Sequence, residues 1–276
     1  MPKDVKTKPR NTLGRKTIEH IVVPDAQVTP DTSTEHLRHA GEYIATHQPD
    51  VLVCIGDFAD MHSLSSYDRG KKGFEGRRYS DDVKAAKRAM SVLLAPMQEL
   101  QKRQRKNKQR VYKPRMIMTL GNHENRINRA VSNDAILDGT ISTDDLGYKE
   151  AGWEVYDFLE AIEVDGVTYS HFFPRSGNGR VLQSTRGAPT ARTQGQREMR
   201  SCTSGHLQGL DFDVHQLGNR RIYNIIAGSC YTHEEDYLTP QGTQYWRGII
   251  HKFDVGEGMY DPLFVSLDYL KRRYGK

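Results

Sequence analysis

The sequence predicts an α/β (α+β) domain with a βαβαβ start. Three observations carry this expectation. Three short runs, HIVV, VLVCI and MIMTL, are apolar at consecutive positions, as in strands buried on both faces. Two stretches between them repeat their apolar residues at helical spacing. Beyond residue 160 the chain is dominated by short strand-like runs.

In chain order, Glu19 to Asp25 reads as the first strand. Residues 33–47 follow as a helix, with Ser33 or Thr34 as N-cap and Leu37, Ala40, Tyr43 and Ile44 on one face. Val51 to Ile55 is the second strand, ending at Gly56-Asp57. Residues 61–79, rich in Gly, Ser, Lys and Arg, read as a long loop. Residues 80–106 form the second helix, its stripe running from Val83 through Met90 and Leu94 to Leu100, and Pro96 predicts a kink or break within it. Met116 to Leu120 is the third strand, and a further helix is expected from Glu124. Strands are expected at 167–173, 220–228, 246–255 and 262–270.

Composition narrows the class. With 36% hydrophobic and 27% charged residues the 276-residue chain reads as soluble and globular, and no apolar run reaches the roughly 18 residues of a membrane span. Residues 1–17 are basic, lack an apolar segment behind them and read as a disordered tail; residues 18–276 read as one domain. Three cysteines without CxxC spacing argue against a disulfide framework or zinc ribbon and fit a reducing cytoplasm. The net charge of +5 mildly favours polyanionic partners.

In open α/β sheets ligands bind at the carboxyl ends of the strands. Here those ends carry metal-binding residue types: Asp25-Ala-Gln27, Gly56-Asp57-Phe-Ala-Asp60, Gly121-Asn122-His123-Glu124, His171 after VTYS, and Gly205-His206-Leu-Gln208. Singly, an Asp after a strand is usually a turn or cap residue, and a lone His is usually a packed or surface one. The ordered set is far more specific.

The blocks PDAQ, GDFAD, GNHE, SHFF and GHLQ resemble, in order, the D-x-H, G-D-x-x-D, G-N-H-E/D, single-His and G-H-x-H blocks of the calcineurin-like metallophosphoesterase superfamily. The resemblance spans residues 25–208. It implies a sandwich of two mixed β-sheets flanked by helices, with two divalent ions at the strand ends. Asp57 would bridge both ions. Asn122, His171 and His206 would complete one site, and Asp25, Gln27 and Gln208 would surround the other. His123 would act on the phosphate as general acid or hydrogen-bond donor, with Asp60 keeping it protonated, and Glu124 would cap or brace the following helix. Two cations about 3.5–4 Å apart acidify a bridging water and hold the phosphate oxygens, which explains the need for a shared carboxylate.

The chain departs from the pattern where the family has His, at Gln27 and Gln208, and both changes fall on one ion. Amide oxygen is a harder ligand than imidazole, so Mn²⁺ is the expected metal, with Mg²⁺, Fe or Zn²⁺ as alternatives. The expected pattern is one tight site and one weaker site, with a single-ion enzyme left open. Met61-His62 stand where protein phosphatases have Arg-Gly, which argues against a phosphoprotein substrate.

Six arginines, Arg175, Arg180, Arg186, Arg192, Arg197 and Arg200, lie between His171 and His206 with one acid, Glu198. Taken alone, this is an exposed basic loop. Flanked by expected ligands, it points to a polyanionic substrate, with Arg175 and Arg180 as candidate phosphate contacts alongside Asn122. The expected activity is phosphodiester hydrolysis on a nucleotide or nucleic acid. Phosphomonoester hydrolysis, or nucleic-acid binding around a structural metal without catalysis, are the alternatives. No membrane association and no obligate protein partner are expected. The short chain lacks the capping domain of the superfamily's DNA-repair nucleases, which fits a minimal, virus-encoded member acting in the host cytoplasm.

Overall fold

The computed structural model describes residues 17–175, 180–181, 190–233 and 245–275. The expected tail at 1–17 therefore lies almost wholly outside the described residues. The βαβαβ start is present as β1 (His20–Val23), α1 (Glu35–His47), β2 (Val51–Cys54), α2 (Tyr79–Lys106) and β3 (Arg115–Thr119). There follow α3 (Asn125–Asn133), β4 (Glu154–Tyr156), β5 (Ile162–Val164), β6 (Val167–Tyr169), β7 (Pro174–Arg175), β8 (Arg180–Val181) and α4 (Ala191–Glu198). The chain closes with β9 (Cys202–Ser204), β10 (Leu210–Leu217), β11 (Arg220–Ala227), β12 (Gly248–Gly256), β13 (Met259–Ser266) and α5 (Leu267–Tyr274).

Among the described residues two mixed sheets, the two-stranded β7–β8 ribbon and five α-helices make up an α/β architecture. The first sheet has the order β13-β12-β1-β2-β3-β4, with β1 to β4 parallel and β12 and β13 antiparallel at one side. The second has the order β10-β11-β9-β6-β5, in which β6, β9 and β11 run parallel.

The consecutive apolar residues of β1 to β3 divide by pleat. Ile21, Val23, Leu52, Cys54, Met116 and Met118 face α1 and α2 in one core. Val22, Val53 and Ile117 face the second sheet and meet Val167, Tyr169, Ile225 and Ala227 in the other. Each strand is thus covered on both faces, as successive side chains of opposite direction require. Helix α4 lies on the outer side of the second sheet, where Ser204 Oγ donates to Gln194 Oε1 at 2.6 Å.

Three local expectations are corrected. Helix α2 runs through Pro96 without a break. The proline forfeits one main-chain bond, but Pro96 is buried against Gly41 of α1, where even a Cβ would come within 3.1 Å of its ring. That packing outweighs the lost bond. The run at 262–270 is strand only to Ser266, whose Oγ accepts the Tyr269 N–H and starts α5. Glu124 gives α3 no side-chain cap, because its carboxylate is used elsewhere. Among the described residues no helix is long and apolar enough to cross a membrane.

Candidate metal centre

The residues singled out at the strand ends gather where the parallel strands of both sheets end. Asp25 and Gln27 follow β1, Asp57 and Asp60 follow β2, and Asn122 and His123 follow β3, all from the first sheet. His171 follows β6 and His206 follows β9, both from the second. Within the tightest group, the oxygen donors Asp57 and Asn122 therefore come from one sheet and the imidazoles His171 and His206 from the other.

The tightest group is Asp57, Asn122, His171 and His206. One ligand atom from each of Asp57, His171 and His206 lies within 4.8 Å of the others. Asn122 Oδ1 sits 3.0 Å from His171 Nε2 and 2.7 Å from His206 Nδ1, and Asp57 Oδ2 is 3.2 Å from His171 Nε2. Donors at about 2.1 Å from an ion in octahedral array stand about 3.0 Å apart, so this spacing fits a divalent cation. His171 Nδ1 lies 2.9 Å from the Ile55 carbonyl. Donating there fixes the ring and turns Nε2 toward the cluster, as outer hydrogen bonds do for metal-binding histidines.

Two glycines permit the convergence. Gly56 has φ +90°, and a Cβ on it would stand 2.7 Å from His171 Nδ1. A Cβ on Gly121 would stand 2.0 Å from Asp57 Oδ1. Five non-glycine residues of these loops also adopt left-handed backbone: Gln27 (φ 43°), Asp57 (48°), Met61 (51°), His206 (68°) and Gln208 (58°). Such strain persists only where surrounding structure holds it, and it concentrates at functional sites.

Glu124 supplies much of that hold. Its fully buried carboxylate accepts the main-chain N–H groups of Asp57 (2.9 Å), Ala59 (2.9 Å) and Gly121 (2.8 Å). It clamps the β2 loop to the β3 loop, a role that sequence spacing assigned to the helix. Burial and the Asp57 charge push its carboxyl up, while the N–H donors of Ala59 and Gly121 pull it down. Three main-chain N–H donors make the site an acceptor-only one for the carboxylate, with the Tyr148 hydroxyl 3.4 Å from Oε1.

Charge is unevenly spread over the centre. Burial works against the Asp57 carboxylate, yet His123 and His171 hold it well below the usual range. Burial raises Asp25 to about 7. Burial likewise disfavours charge on His171, but Asp57 overrides it and carries the imidazole up to about 10. A proton at Nε2 there answers the same negative field as a divalent ion. Burial and neighbouring His171 bring His206 down to about 4, leaving a neutral imidazole that can donate a lone pair to a metal.

His123 Nδ1 lies 2.5 Å from Asp60 Oδ1. Burial opposes its charge, but Asp57 and Asp60 prevail and its pKa is raised. Sequence reading missed Arg126, one turn along α3, which donates to the Asp60 carbonyl at 2.7 Å and reaches His123 Nε2 at 3.2 Å. The i, i+3 spacing from His123 was the available signal.

Gln27 and Gln208 behave differently. Gln27 is 1% exposed and its Oε1 has no hydrogen-bond partner, although its main chain is bonded to Asp57 O at 2.8 Å. Gln208 Oε1 accepts the hydroxyls of Tyr231 (2.8 Å) and Tyr245 (2.9 Å), aromatic residues that sequence reading placed in the core or wall. Arg175 and Arg180 pair across the β7–β8 ribbon, and their side chains lie outside the described residues, as does all of Arg186. Arg192 and Arg197 are on α4 and Arg200 follows it, so this described part of the arginine-rich stretch is helix rather than loop.

No family model matches this chain, and no curated protein matches it. Among solved structures, one aligns over 91% of this chain and 100% of its own at 11% identity, with a TM-score of 0.42.

Proposed function

We propose that this chain is a metal-dependent phosphoesterase of the calcineurin-like metallophosphoesterase type, hydrolysing phosphodiesters of nucleotides or nucleic acid. The observation that carries this reading is the convergence of Asp57, Asn122, His171 and His206 from two sheets to donor spacings that suit a divalent cation. Asp25, Gln27 and Asp57 would hold a second ion, with Mn²⁺ favoured over Zn²⁺ by the oxygen donors. Bound cations supply charge neutralisation at the phosphate and acidification of water.

The side chains around the metals do the rest. Asp60 holds the His123 ring through Nδ1 and anchors Arg126. Arg126 thereby presents guanidinium donors at one edge of the cluster, and His123 Nε2, 3.2 Å from it, is held at the same edge, where a phosphate oxygen or a leaving oxygen would be met. Glu124 fixes the loops that carry Asp57 and Asn122, so the donors need not reorganise when substrate arrives.

The test is hydrolysis of bis(p-nitrophenyl) phosphate and of p-nitrophenyl phosphate, each with Mn²⁺ and with chelator. Faster metal-dependent turnover of the diester is expected, with loss in Asp57→Ala and His123→Ala. Activity that survives both substitutions in folded protein removes the site assignment. Preference for the monoester redirects the substrate class.

A further inference from the structure

The end of the sandwich opposite the metal centre holds a polar concavity of its own. Strands β6, β9 and β11 run parallel and start at this end. Three two-residue hairpin turns border it: Asp165-Gly166, Gly218-Asn219 and Glu257-Gly258. Asp165 (φ 51°), Gly166 (82°), Glu257 (50°) and Gly258 (81°) all adopt left-handed backbone, which suits tight turns between twisted antiparallel strands. Two of the turns are locked together. Gly258 N–H donates to the Asp165 carbonyl at 3.1 Å, and a Cβ on Gly166 would stand 2.3 Å from Gly258 N. On this side the concavity is therefore walled by main chain with little room to shift.

The cavity measures about 490 Å³, and its lining includes three arginines, Arg200, Arg220 and Arg221, against two acids, Glu163 and Glu257. Small-molecule sites typically span roughly 300–1,000 Å³. Arg221 shares the inner face of β11 with Tyr223 and Ile225, and Arg220 leaves on the outer face, so the two flank the start of the strand. Arg200 Nη2 lies 3.4 Å from Glu198 Oε2, and Arg220 Nη2 donates to the Met199 carbonyl at 2.9 Å. Among the described residues Arg221 has neither an ion pair nor a side-chain hydrogen bond. A guanidinium carries five N–H donors, so most of them remain for a ligand. Their planar forks match phosphate oxygens bidentately. The two carboxylates repel a bare anion but accept from hydroxyl or amino groups. Together these groups suit a molecule with phosphate at one end and hydrogen-bond donors at the other.

We propose that this cavity is a ligand site separate from the metal centre, taking a phosphorylated small molecule that also carries hydroxyl or amino donors, the chemistry shared by mononucleotides and sugar phosphates. Arg200 and Arg221 bind the phosphate, Arg220 closes the outer rim, and Glu163 and Glu257 accept from the donor-bearing end. The site stands whether or not the metal centre hydrolyses phosphodiesters. Its position relates it to that centre all the same. Strand β6 leads from Gly166 to His171, and β9 leads from Ser201 toward His206, so a ligand here sits at the far ends of the two strands that deliver the imidazoles.

The experiment is titration calorimetry on the full chain in chelator, with 5′-AMP, ribose 5-phosphate, adenosine and inorganic phosphate as separate probes. The expected result is saturable binding of one equivalent of 5′-AMP or ribose 5-phosphate, at least ~10-fold tighter than inorganic phosphate or adenosine. Arg200→Gln and Arg221→Gln should each weaken that binding by ~10-fold or more. Arg221→Lys should weaken it less, because the charge stays while the fork is lost. All three changes are at exposed side chains, so the variants should melt with the parent protein. Asp57→Ala should leave the affinity unchanged. Tighter binding of 5′-AMP names a nucleotide as the source, and equal or tighter binding of ribose 5-phosphate names a sugar phosphate. Four results overturn the proposal: no binding of either phosphate ester, inorganic phosphate binding as tightly as the esters, affinity unmoved by the arginine substitutions, or binding lost in Asp57→Ala.

Discussion

Replacing Glu124 by Gln tests whether one carboxylate organises the whole centre. In the structure Oε2 accepts from Asp57 N and Gly121 N, and Oε1 from Ala59 N, with Tyr148 Oη at 3.4 Å. An amide keeps one oxygen and turns the other acceptor into a donor. Whichever way it is placed, at least one buried N–H then faces an N–H, and the remaining bonds lose their charge assistance. Hydrogen bonds to a buried charge contribute about 1.5–3 kcal/mol each, so a loss of roughly 2–4 kcal/mol is expected. For a domain of this size that corresponds to a Tm lower by roughly 5–10 °C. Calorimetry on metal-free protein at pH 7.5 measures it, since bound metal would mask part of the loss. Mn²⁺ affinity should fall as well, because the loops bearing Asp57 and Asn122 come apart. A Tm within about 1 °C of the parent, where roughly 2–4 kcal/mol is at stake, would show that the three N–H groups find other acceptors and that Glu124 is not the clamp.

Other expectations follow from the same geometry. His123→Ala should lower turnover by about 10²–10⁴-fold while Mn²⁺ binding, measured by titration calorimetry, persists; loss of metal binding would make His123 a ligand instead. Asp57→Asn should abolish tight Mn²⁺ binding, and retention of a full equivalent would place the resident ion elsewhere. Burial lowers His20 to about 4, against 6.5 in the unfolded chain, although the Asp165 carboxylate at 2.9 Å pulls it the other way. The folded state thus binds fewer protons than the unfolded one between those values, so stability should be full above pH 6.5 and fall as the pH drops toward 4; His20→Gln should flatten that part of a Tm profile, and an unchanged slope would assign it to His36 and His206, which burial also lowers to about 4. Lys252, fully buried, reaches Thr203 Oγ1 (2.5 Å), Tyr169 Oη (3.3 Å) and two aromatic rings, and burial drives its pKa far down. Lys252→Met should therefore leave Tm unchanged or higher, and a fall of several degrees would mean that its polar contacts outweigh its desolvation.

Much of the architecture was legible because β1, β2 and β3 are covered on both faces and show it as unbroken apolar runs. The ends of those strands were legible for a related reason. A Gly followed by a polar residue after such a run marks where the chain leaves the core, and Asp57, Asn122 and His206 all sit at such points. What was missed depends on contacts distant in sequence. Pro96 survives in α2 because Gly41 lets α1 pack closely against it, which helical periodicity does not encode. Glu124 bonds to residues more than sixty positions earlier as well as to Gly121. Tyr231 and Tyr245 engage Gln208 from another part of the chain, so its donor oxygen looked available when read from its motif alone. Arg126 was overlooked because an arginine on a polar helix is ordinarily solvent-facing.

The division of donors between the layers reaches beyond chemistry. Asp57 and Asn122 belong to one sheet, His171 and His206 to the other, so an ion coordinated by all four rivets the sandwich at its open end. Sliding or peeling of the layers would have to break coordinate bonds before any apolar surface is exposed. Stripping such a cation should thus hasten unfolding and open the seam to proteases, so that an ion held there would also fasten the two layers.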